Sequence, residues 1–272
     1  MRRGLNAMRL AVVLVVLSLL AAAVLPAIQK MRVTSALTRC RNNLQQHGLA
    51  LHNYADTNNG YFPSGTMPNP DLPPEQRFSF HAVLLPFMEC DRLYSQLAKS
   101  EAWDSDRNVD LLAPRTFELY QCPVWVRFHG YGTDLTASGH RAFTNYVGVA
   151  GVGADAATRS VKAPDIGIFG YERRVNMSDV SDGSSNTAML IETTHDVGPW
   201  PRGGPSTVRA VEPGGSPFGG THRRTSWMYQ TPAAGFHIVL ADASVRHTKP
   251  DIAPAVLAAL ATAAGGEVTG DW

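Results

Sequence analysis

Histidines near the carboxyl end of the chain are the residues whose type and spacing best suit metal or acid–base chemistry. His222, His237, Asp242 and His247 fall in one stretch, and His237 and His247 would approach each other across a hairpin of two adjoining strands. Zinc sites use three or four such ligands, yet the sequence identifies neither a third ligand for this pair nor a glutamate base. We therefore predict no metal and no other cofactor; His237, His247 and Asp182 are the remaining metal candidates.

A second polar cluster, Asp182-Gly183-Ser184-Ser185-Asn186, has closely spaced oxygens that suit a hard cation such as calcium. It lacks the acidic spacing of an EF-hand loop, and Asp and Ser side chains more often cap backbone N–H groups in turns, so we predict a turn. A triad of Ser184, His195 and Asp182 is the enzymatic alternative. The chain has no Gly-x-Ser-x-Gly turn to expose a nucleophile, and we predict that the protein is not an enzyme.

The three cysteines, Cys40, Cys90 and Cys122, form no Cys-x-x-Cys pair and no zinc-knuckle spacing. In an oxidising compartment one pair would form a disulfide and leave one thiol, but the spacing does not assign the pair. The alternative is that all three are small buried apolar side chains.

The composition of the chain limits its partners and its fold class. The 24 basic and 23 acidic side chains nearly cancel, and the basic ones are dispersed, which argues against a nucleic-acid partner. A length of 272 residues suits one main core with an added anchor. The 24 glycines and 18 prolines, most of them after Gly60, indicate a turn-rich β-containing body.

The N-terminal segment has the pattern of a membrane anchor. Residues 1–9 form a basic leader, and residues 10–28 are uncharged and mostly apolar. A helix over residues 10–27 would be roughly 27 Å long, close to the ~30 Å hydrocarbon thickness of a bilayer. A cleaved signal peptide is the alternative.

The anchor is predicted to continue as an amphipathic helix over residues 29–58. Pro26 predicts a kink, because proline removes a backbone donor, and Asn58-Asn59-Gly60 predicts the helix end. Apolar positions recur at steps of three and four, which indicates one packed face. They are Ile28, Met31, Leu37, Cys40, Leu44, Gly48, Leu51 and Tyr54.

Residues 59–272 are predicted to form a β-rich globular domain. The strand candidates are residues 116–121, 145–149, 187–192, 236–241 and 244–247, and a short helix is predicted over 252–264. In the strand at 236–241, Phe236, Ile238 and Leu240 alternate with His237, Val239 and Ala241, which predicts two distinct faces. The fold class is α+β, a long N-terminal helix packed on an antiparallel β-sheet.

Ordered motifs along the chain resemble those of planctomycete-type pseudopilin-like proteins, which join a prepilin-type N-terminus to the domain of unknown function fifteen fifty-nine. The resemblance begins at Leu25-Pro26-Ala27-Ile28-Gln29 and implies a pilin-like fold. The similar helix motif contains Asn42, Asn43, His52, Asn53 and Tyr54. Later similar blocks are Leu84-Leu85-Pro86-Phe87, Cys122-Pro123, Thr144-Asn145-Tyr146, Asp182-Gly183-Ser184-Ser185-Asn186-Thr187 and Ala241-Asp242-Ala243-Ser244-Val245-Arg246.

The N-terminus departs from the prepilin pattern at one charge. Prepilins have a basic leader ending in Gly and an acid at the fifth mature position, which pairs with a neighbour during filament assembly. Here Gly4 falls at the leader Gly, Leu5 at the first mature position and Arg9 at the position of the acid. The reversed charge favours a tip or initiating subunit, or a permanent unprocessed anchor.

The carboxyl end departs from the family's His-x9-Asp-Gly pattern. His222 is the counterpart of the histidine, but Asp242 lies twenty positions later, which indicates an insertion. Ala243 replaces the glycine, which predicts a different type of hairpin turn. For the cysteines, the resemblance implies a disulfide between Cys40 and Cys122, since both fall in family-like blocks.

The resemblance implies a membrane-anchored structural or assembly protein of the cell envelope, in a type II secretion-like or type IV pilus-like system. Its helix would pair with like helices of its own or of other pseudopilin-like subunits. We expect a single pass through the inner membrane, with the C-terminal domain in the periplasm or at the cell surface. The alternative is a membrane-tethered carbohydrate-binding module, because Trp200 and Trp227 lie near a glycine-rich loop between Trp200 and Arg224, and aromatic side chains next to such a loop would suit a sugar.

Overall fold

The computed structural model of the protein describes residues 2–112, 117–129, 143–212, 235–249 and 251–267. Helix α1 (Arg2–Thr57) is continuous and contains Pro26. It ends where Asn59 and Gly60 take left-handed φ values of 55° and 82°, and the Gly60 N–H donates to the Ala55 carbonyl. The predicted single long helix and its stop are confirmed.

Helix α1 has an uncovered first half and a packed second half. Every side chain described in 9–35 is exposed, whereas Cys40 is fully buried. Ile28 and Met31, predicted on the packed face, are exposed at 39% and 71%, so that part of the prediction for 29–58 is wrong. The globular body reaches the helix only from about Leu37 onward, and the apolar face has no partner in the described chain before it.

Five strands form the main sheet in the order β5-β2-β3-β6-β7. They are β2 (Tyr146–Val152), β3 (Ala188–Glu192), β5 (Val208–Val211), β6 (Phe236–Leu240) and β7 (Val245–Thr248). All neighbours are antiparallel except β2 and β5, which run parallel. Separately, β1 (Phe143–Thr144) pairs with β4 (Gly198–Pro199). The predicted strands at 145–149, 187–192, 236–241 and 244–247 are confirmed, within a residue or a few at their ends.

Two regions of the sheet prediction are wrong. The described part of the strand predicted at 116–121 contains a 3-10 turn, Glu118–Tyr120, whose carbonyls accept hydrogen bonds from α1 and are not available to a ladder. Strand β5 lies beside the glycine-rich stretch that composition identified as loop. Its pairing with β2 outweighs local propensity, because cross-strand contacts decide strand formation more than composition does.

Short helices cover the sheet and its edges. They are α2 (Phe80–Val83), α3 (Asp91–Gln96), α4 (Asp106–Leu112), α5 (Pro123–His129) and α6 (Pro254–Ala261), with further 3-10 turns at Leu85–Met88, Met177–Asp179 and Gly204–Ser206. Helix α6 confirms the helix predicted over 252–264.

Strand β6 is buried on both sides, and the two faces that its alternation predicts pack in two different clusters. Val239 and Ala241 join the cluster under α1, with Leu44 and Leu51. On the opposite face, Phe236, Ile238 and Leu240 pack in the cluster that holds Leu257 and Leu260 of α6. Helix α1 therefore supplies one side of the main core, through Leu44, Ala50, Leu51 and Ala55.

Candidate functional site

The first half of α1 has the length and composition of a membrane span. Its apolar window has a mean hydropathy of 2.8 and no residue buried in the body. Exposed apolar side chains include Leu14 at 58%, Leu19 at 65% and Leu25 at 54%. By length and composition this one helix can cross a bilayer, which is consistent with a single-pass membrane anchor.

Side chains of the helix motif fix the second half of α1 to the body. Asn43 donates to the carbonyls of Glu118 and Gln121 at 2.8 and 3.1 Å, and His52 Nε2 lies 2.9 Å from the Ala241 carbonyl. Tyr54 packs edge-on against Phe87. Asn42 and Asn53 of the same motif are exposed. These contacts fix the second half of α1 to the body, and the same helix continues into the apolar segment.

Two buried histidines, which sequence reasoning did not single out, lie between α1 and the body. His47 and His81 are fully buried with ring centroids 5.2 Å apart, and their Nε2 atoms bond to the carbonyls of Leu119 and Tyr146. Burial lowers the pKa of His47 to about 4 and holds the pKa of His81 well below its usual value. The available signal was that His47 falls on the apolar face of α1, three residues after Leu44.

A buried cluster of two thiols and one carboxylate lies where α1 meets the end of the sheet. The Sγ atoms of Cys40 and Cys122 are 2.6 Å apart, and both side chains are fully buried. A carboxylate oxygen of Glu192, the last residue of β3, lies within 4.8 Å of both sulfurs. The structure thus brings together the two cysteines paired by resemblance, while Cys90 belongs to a different cluster. Sequence reasoning missed Glu192, because only the packing of α1 and of the segment before α5 beside the end of β3 brings it to the thiols.

Hydrogen bonds hold this thiol cluster in place. Asn145 accepts from the Cys122 N–H at 2.8 Å and donates to the Thr193 carbonyl at 3.0 Å, which ties Cys122 to the end of β3. His237 Nδ1 lies 2.9 Å from Glu192 Oε2, and the His237 N–H donates to the same oxygen at 3.2 Å. Burial, with a smaller contribution from the Glu192 charge, raises the pKa of both cysteine thiols.

The histidines considered as metal ligands do meet across a hairpin. His237 and His247 are cross-strand partners in β6 and β7, with ring centroids 5.1 Å apart. Asp182 is engaged elsewhere, because its carboxylate accepts from the N–H groups of Gly265 and Gly266 at 2.8 Å. His222 lies outside the described residues. Among the described residues, the potential ligand atoms of Cys40, Cys122 and Glu192 lie within 4.8 Å of one another.

The block around Asp182 forms the predicted turn. Asn186 donates to the Asp182 carbonyl at 3.2 Å, and Gly183 has a φ of +96°, which favours glycine. Ser184 precedes β3 and His195 follows it, so a strand roughly 16 Å long separates them. The hydrolytic triad considered from the sequence is not assembled.

The β6–β7 hairpin contains a residue with a positive φ. Ala243, which stands where the resembled pattern has glycine, takes the left-handed conformation with a φ of 63°. The change of turn type stays a prediction. Asp242 supports the turn by accepting the Ser244 N–H at 2.9 Å.

The carbohydrate-binding alternative loses one of its two aromatic side chains. Trp200 is fully buried and stacks on Tyr120 at 4.7 Å, so it is not available to a ligand. Trp227 lies outside the described residues.

Comparison with known proteins gives one match. The model of the family described as "Protein of unknown function (DUF1559)" matches residues 29–233, so the match begins after the apolar segment. No curated protein and no solved structure matches the chain. The family match covers most of the chain, including the helix motif, the thiol cluster and the first strands of the sheet, and the protein belongs to the DUF1559 family.

Proposed function

We propose that the protein is a pseudopilin-like structural or assembly protein of the cell envelope. One observation supports this above all: within one continuous helix, the described side chains of residues 10–28 are exposed and mostly apolar, while Leu44, Ala50, Leu51 and Ala55 are buried in the main core. Soluble proteins rarely expose so large an apolar surface to water. A lipid bilayer, or other apolar helices within it, would cover that surface.

The proposed topology is a single pass through the inner membrane, with the C-terminal domain in the periplasm or at the cell surface. Arg9 and Lys30 are 21 residues apart, or roughly 32 Å along a helix, which would bring both cations to the two headgroup layers. The short N-terminal side would remain in the cytoplasm, because the long domain is translocated whatever its charges.

The proposed partners are helices of other pseudopilin-like subunits, with self-pairing as the weaker contact. Side-by-side packing of identical helices would place Arg9 cations at the same depth, and unpaired charges at the membrane boundary cost free energy. A partner helix with an acid at that depth would neutralise Arg9 instead. This favours a tip or initiating subunit in a type II secretion-like or type IV pilus-like system over a repeating filament subunit.

Charges placed in the span test the anchor. The double variant Val16→Arg/Leu20→Arg should abolish membrane insertion, because each central arginine costs roughly 2.5–3.5 kcal/mol. Flotation and carbonate extraction of the full chain measure this. Met31→Arg/Leu49→Arg is the matched control, since both side chains are exposed, at 71% and 59%, and lie beyond the span. If the two double variants were extracted to the same extent, the proposed membrane anchor would be wrong.

Photo-crosslinking tests the proposed partners. A crosslinking residue at Leu14 of the full chain should capture other pseudopilin-like chains in native membranes, and Arg9→Glu should increase capture of a second copy. Equal self-capture by the native chain and Arg9→Glu would contradict the tip role. If no chain were captured, the proposed partner helices would be wrong and the protein would be a stand-alone anchor.

Mass spectrometry of the native N-terminus tests processing. Cleavage after Gly4 would support prepilin-type handling, and an intact N-terminus would support a permanent anchor. A chain that begins after Gln29 and fractionates with soluble proteins would contradict the proposal as a whole.

A further inference from the structure

The Cys40–Cys122 pair is built for bond formation between the two sulfurs. The residues are 82 positions apart in sequence, yet their Sγ atoms lie 2.6 Å apart, well inside the separation of unbonded sulfurs. A disulfide requires about 2.05 Å. Two tetrahedral thiolate ligands of zinc, with bonds of about 2.3 Å, would lie more than an ångström farther apart than the present contact. The geometry therefore favours a disulfide over a shared metal ion.

Simple packing does not account for the carboxylate beside the pair. Glu192 is fully buried, and burial of a carboxylate is costly unless other groups compensate for it. His237 compensates through Oε2, and the carboxylate also lies within 4.8 Å of both sulfurs. A carboxylate at this place can accept a proton that a thiol must lose before it reacts.

The two histidines continue from the carboxylate toward solvent. His237 is 5% exposed, whereas His247, its cross-strand partner, is exposed on the edge strand β7. The thiols, the carboxylate, the buried imidazole and the exposed imidazole therefore follow one another from the buried pair to the surface of the sheet.

A narrow cleft lies beside the residues that neighbour the pair. Its volume is about 80 Å³, and its lining includes Arg39 and Asn43 near Cys40 on α1, and Gln121 and Pro123 on either side of Cys122. This space holds a few water molecules. Because both cysteines are fully buried and neither lines the cleft, a small disulfide reaches them only when this lining opens.

We propose that Cys40 and Cys122 are a thiol–disulfide redox pair in which Glu192 is the base and His237 positions the carboxylate. The thiolate formed by proton transfer to Glu192 attacks one sulfur of a small disulfide of the glutathione class, whose S–S bond breaks and releases one thiolate. The second cysteine loses its proton in the same way and attacks the mixed disulfide, which releases the other thiolate. The two protein thiols are oxidised by two electrons, and the small disulfide becomes two thiols that take up the two protons.

The test uses the full chain in detergent, reduced, freed of reductant and mixed with oxidised glutathione at several pH values. Acid quenching, alkylation and peptide mass spectrometry follow the linked Cys40–Cys122 peptide. Glu192→Gln should slow its formation about tenfold at neutral pH and change the pH profile, because it removes both the proton acceptor and the charge that raises the pKa of the thiols. Glu118→Gln, a cleft-lining acid outside the thiol cluster, is the matched control and should oxidise like the native chain.

The titratable groups near the pair determine how its rate of oxidation depends on pH. Among described side chains, Glu192 from β3 and Tyr146 from β2 face the pair, and His237 from β6 faces Glu192. If Glu192→Gln does not fold, His237→Gln replaces it in the test. This variant retains the carboxylate but loses the hydrogen bond that positions it, and it should still alter the pH profile.

Three results would overturn the proposal. The first is a pair that alkylates fully after equilibration with oxidised glutathione. The second is identical pH profiles for the native chain, Glu192→Gln and His237→Gln, which would make Glu192 and His237 structural. The third is isolation of the native chain with one equivalent of zinc, whose removal by a chelator exposes both thiols. None of these results depends on whether residues 10–28 insert in a membrane.

Discussion

The two halves of α1 are one helix with two different environments. Residues 10–28 carry their apolar side chains on all sides and contact nothing else in the described chain, whereas Leu44, Ala50, Leu51 and Ala55 lie in the core against the sheet. The first half needs a partner outside the chain, and the second half has its partner within it. Helical backbone geometry is therefore common to both halves, and the environment alone separates anchoring from folding.

The largest expected effect concerns Cys40, in the packed half, and depends on the proposed disulfide. In the chain-entropy model, a bond that closes a loop of 82 residues stabilises the fold by about 4 kcal/mol. Reduction should lower the free energy of unfolding by that order in urea titrations of the full chain in detergent. Cys40→Ser/Cys122→Ser should unfold like the reduced protein and show no further response to reductant. If the midpoint of urea unfolding did not change after verified reduction, the disulfide would not contribute to stability.

The next effect compares two leucines of the same helix. Leu51→Ala should destabilise the domain by roughly 2–5 kcal/mol, because Leu51 is fully buried and its loss leaves a cavity. Leu17→Ala is the matched control, since Leu17 is 56% exposed and outside the body, and it should leave domain unfolding unchanged. Equal losses of unfolding free energy for Leu51→Ala and Leu17→Ala in urea titration would contradict the distinction between the two halves of α1.

A third effect is a pH dependence of the packed half. The pKa of His47 is about 4 in the fold and roughly 6.5 when unfolded, so the unfolded state binds more protons between these values. Stability should be constant above about pH 6.5 and fall by roughly 3 kcal/mol as the pH drops to about 4. His81 contributes in the same direction.

His47→Gln should reduce the slope of stability against pH in this window without removing it. His195→Gln, at an exposed histidine, should keep the native slope. The measurement is the free energy of unfolding at half-unit steps of pH. If His47→Gln kept the native slope of unfolding free energy against pH, His47 would not be buried as a neutral ring in the native protein.

The smallest effect refines the contact between α1 and the β6–β7 hairpin. Ala243→Gly should stabilise the domain by up to about 1 kcal/mol, because alanine is strained at a φ of 63° and glycine is not. Gly48→Ala should destabilise it, because a Cβ there would lie 3.1 Å from the Ala243 Cβ and 3.2 Å from Val239 Cγ1.

Combining Gly48→Ala with Ala243→Gly should recover part of that loss, since one close contact disappears. The coupling is measured as the difference between the double variant and the sum of the single variants. Strict additivity would indicate that the helix and the hairpin do not touch as described.

Particular residues show how far sequence reasoning reached in the sheet and the site. The alternation along β6 predicted two distinct faces, because a strand turns its side chains to opposite sides at every step. That both faces are buried follows only from the elements packed on either side of the sheet. The 3-10 turn at Glu118–Tyr120 was not predictable from propensity, since its carbonyls bond to Asn43 and His47, some seventy residues earlier. Glu192 carried no local signal, because its partners Cys40, Cys122 and His237 come from three other segments.

The sequence by itself determined the long helix, its apolar first half and its stop at Asn59 and Gly60, because hydrophobic periodicity and glycine's freedom at positive φ act over neighbouring residues. Tertiary structure alone decided where the helix becomes buried, the parallel pairing of β5 with β2, and the meeting of two thiols with a carboxylate. Those features depend on contacts between segments far apart in the chain, whose free energy no local pattern of residues encodes.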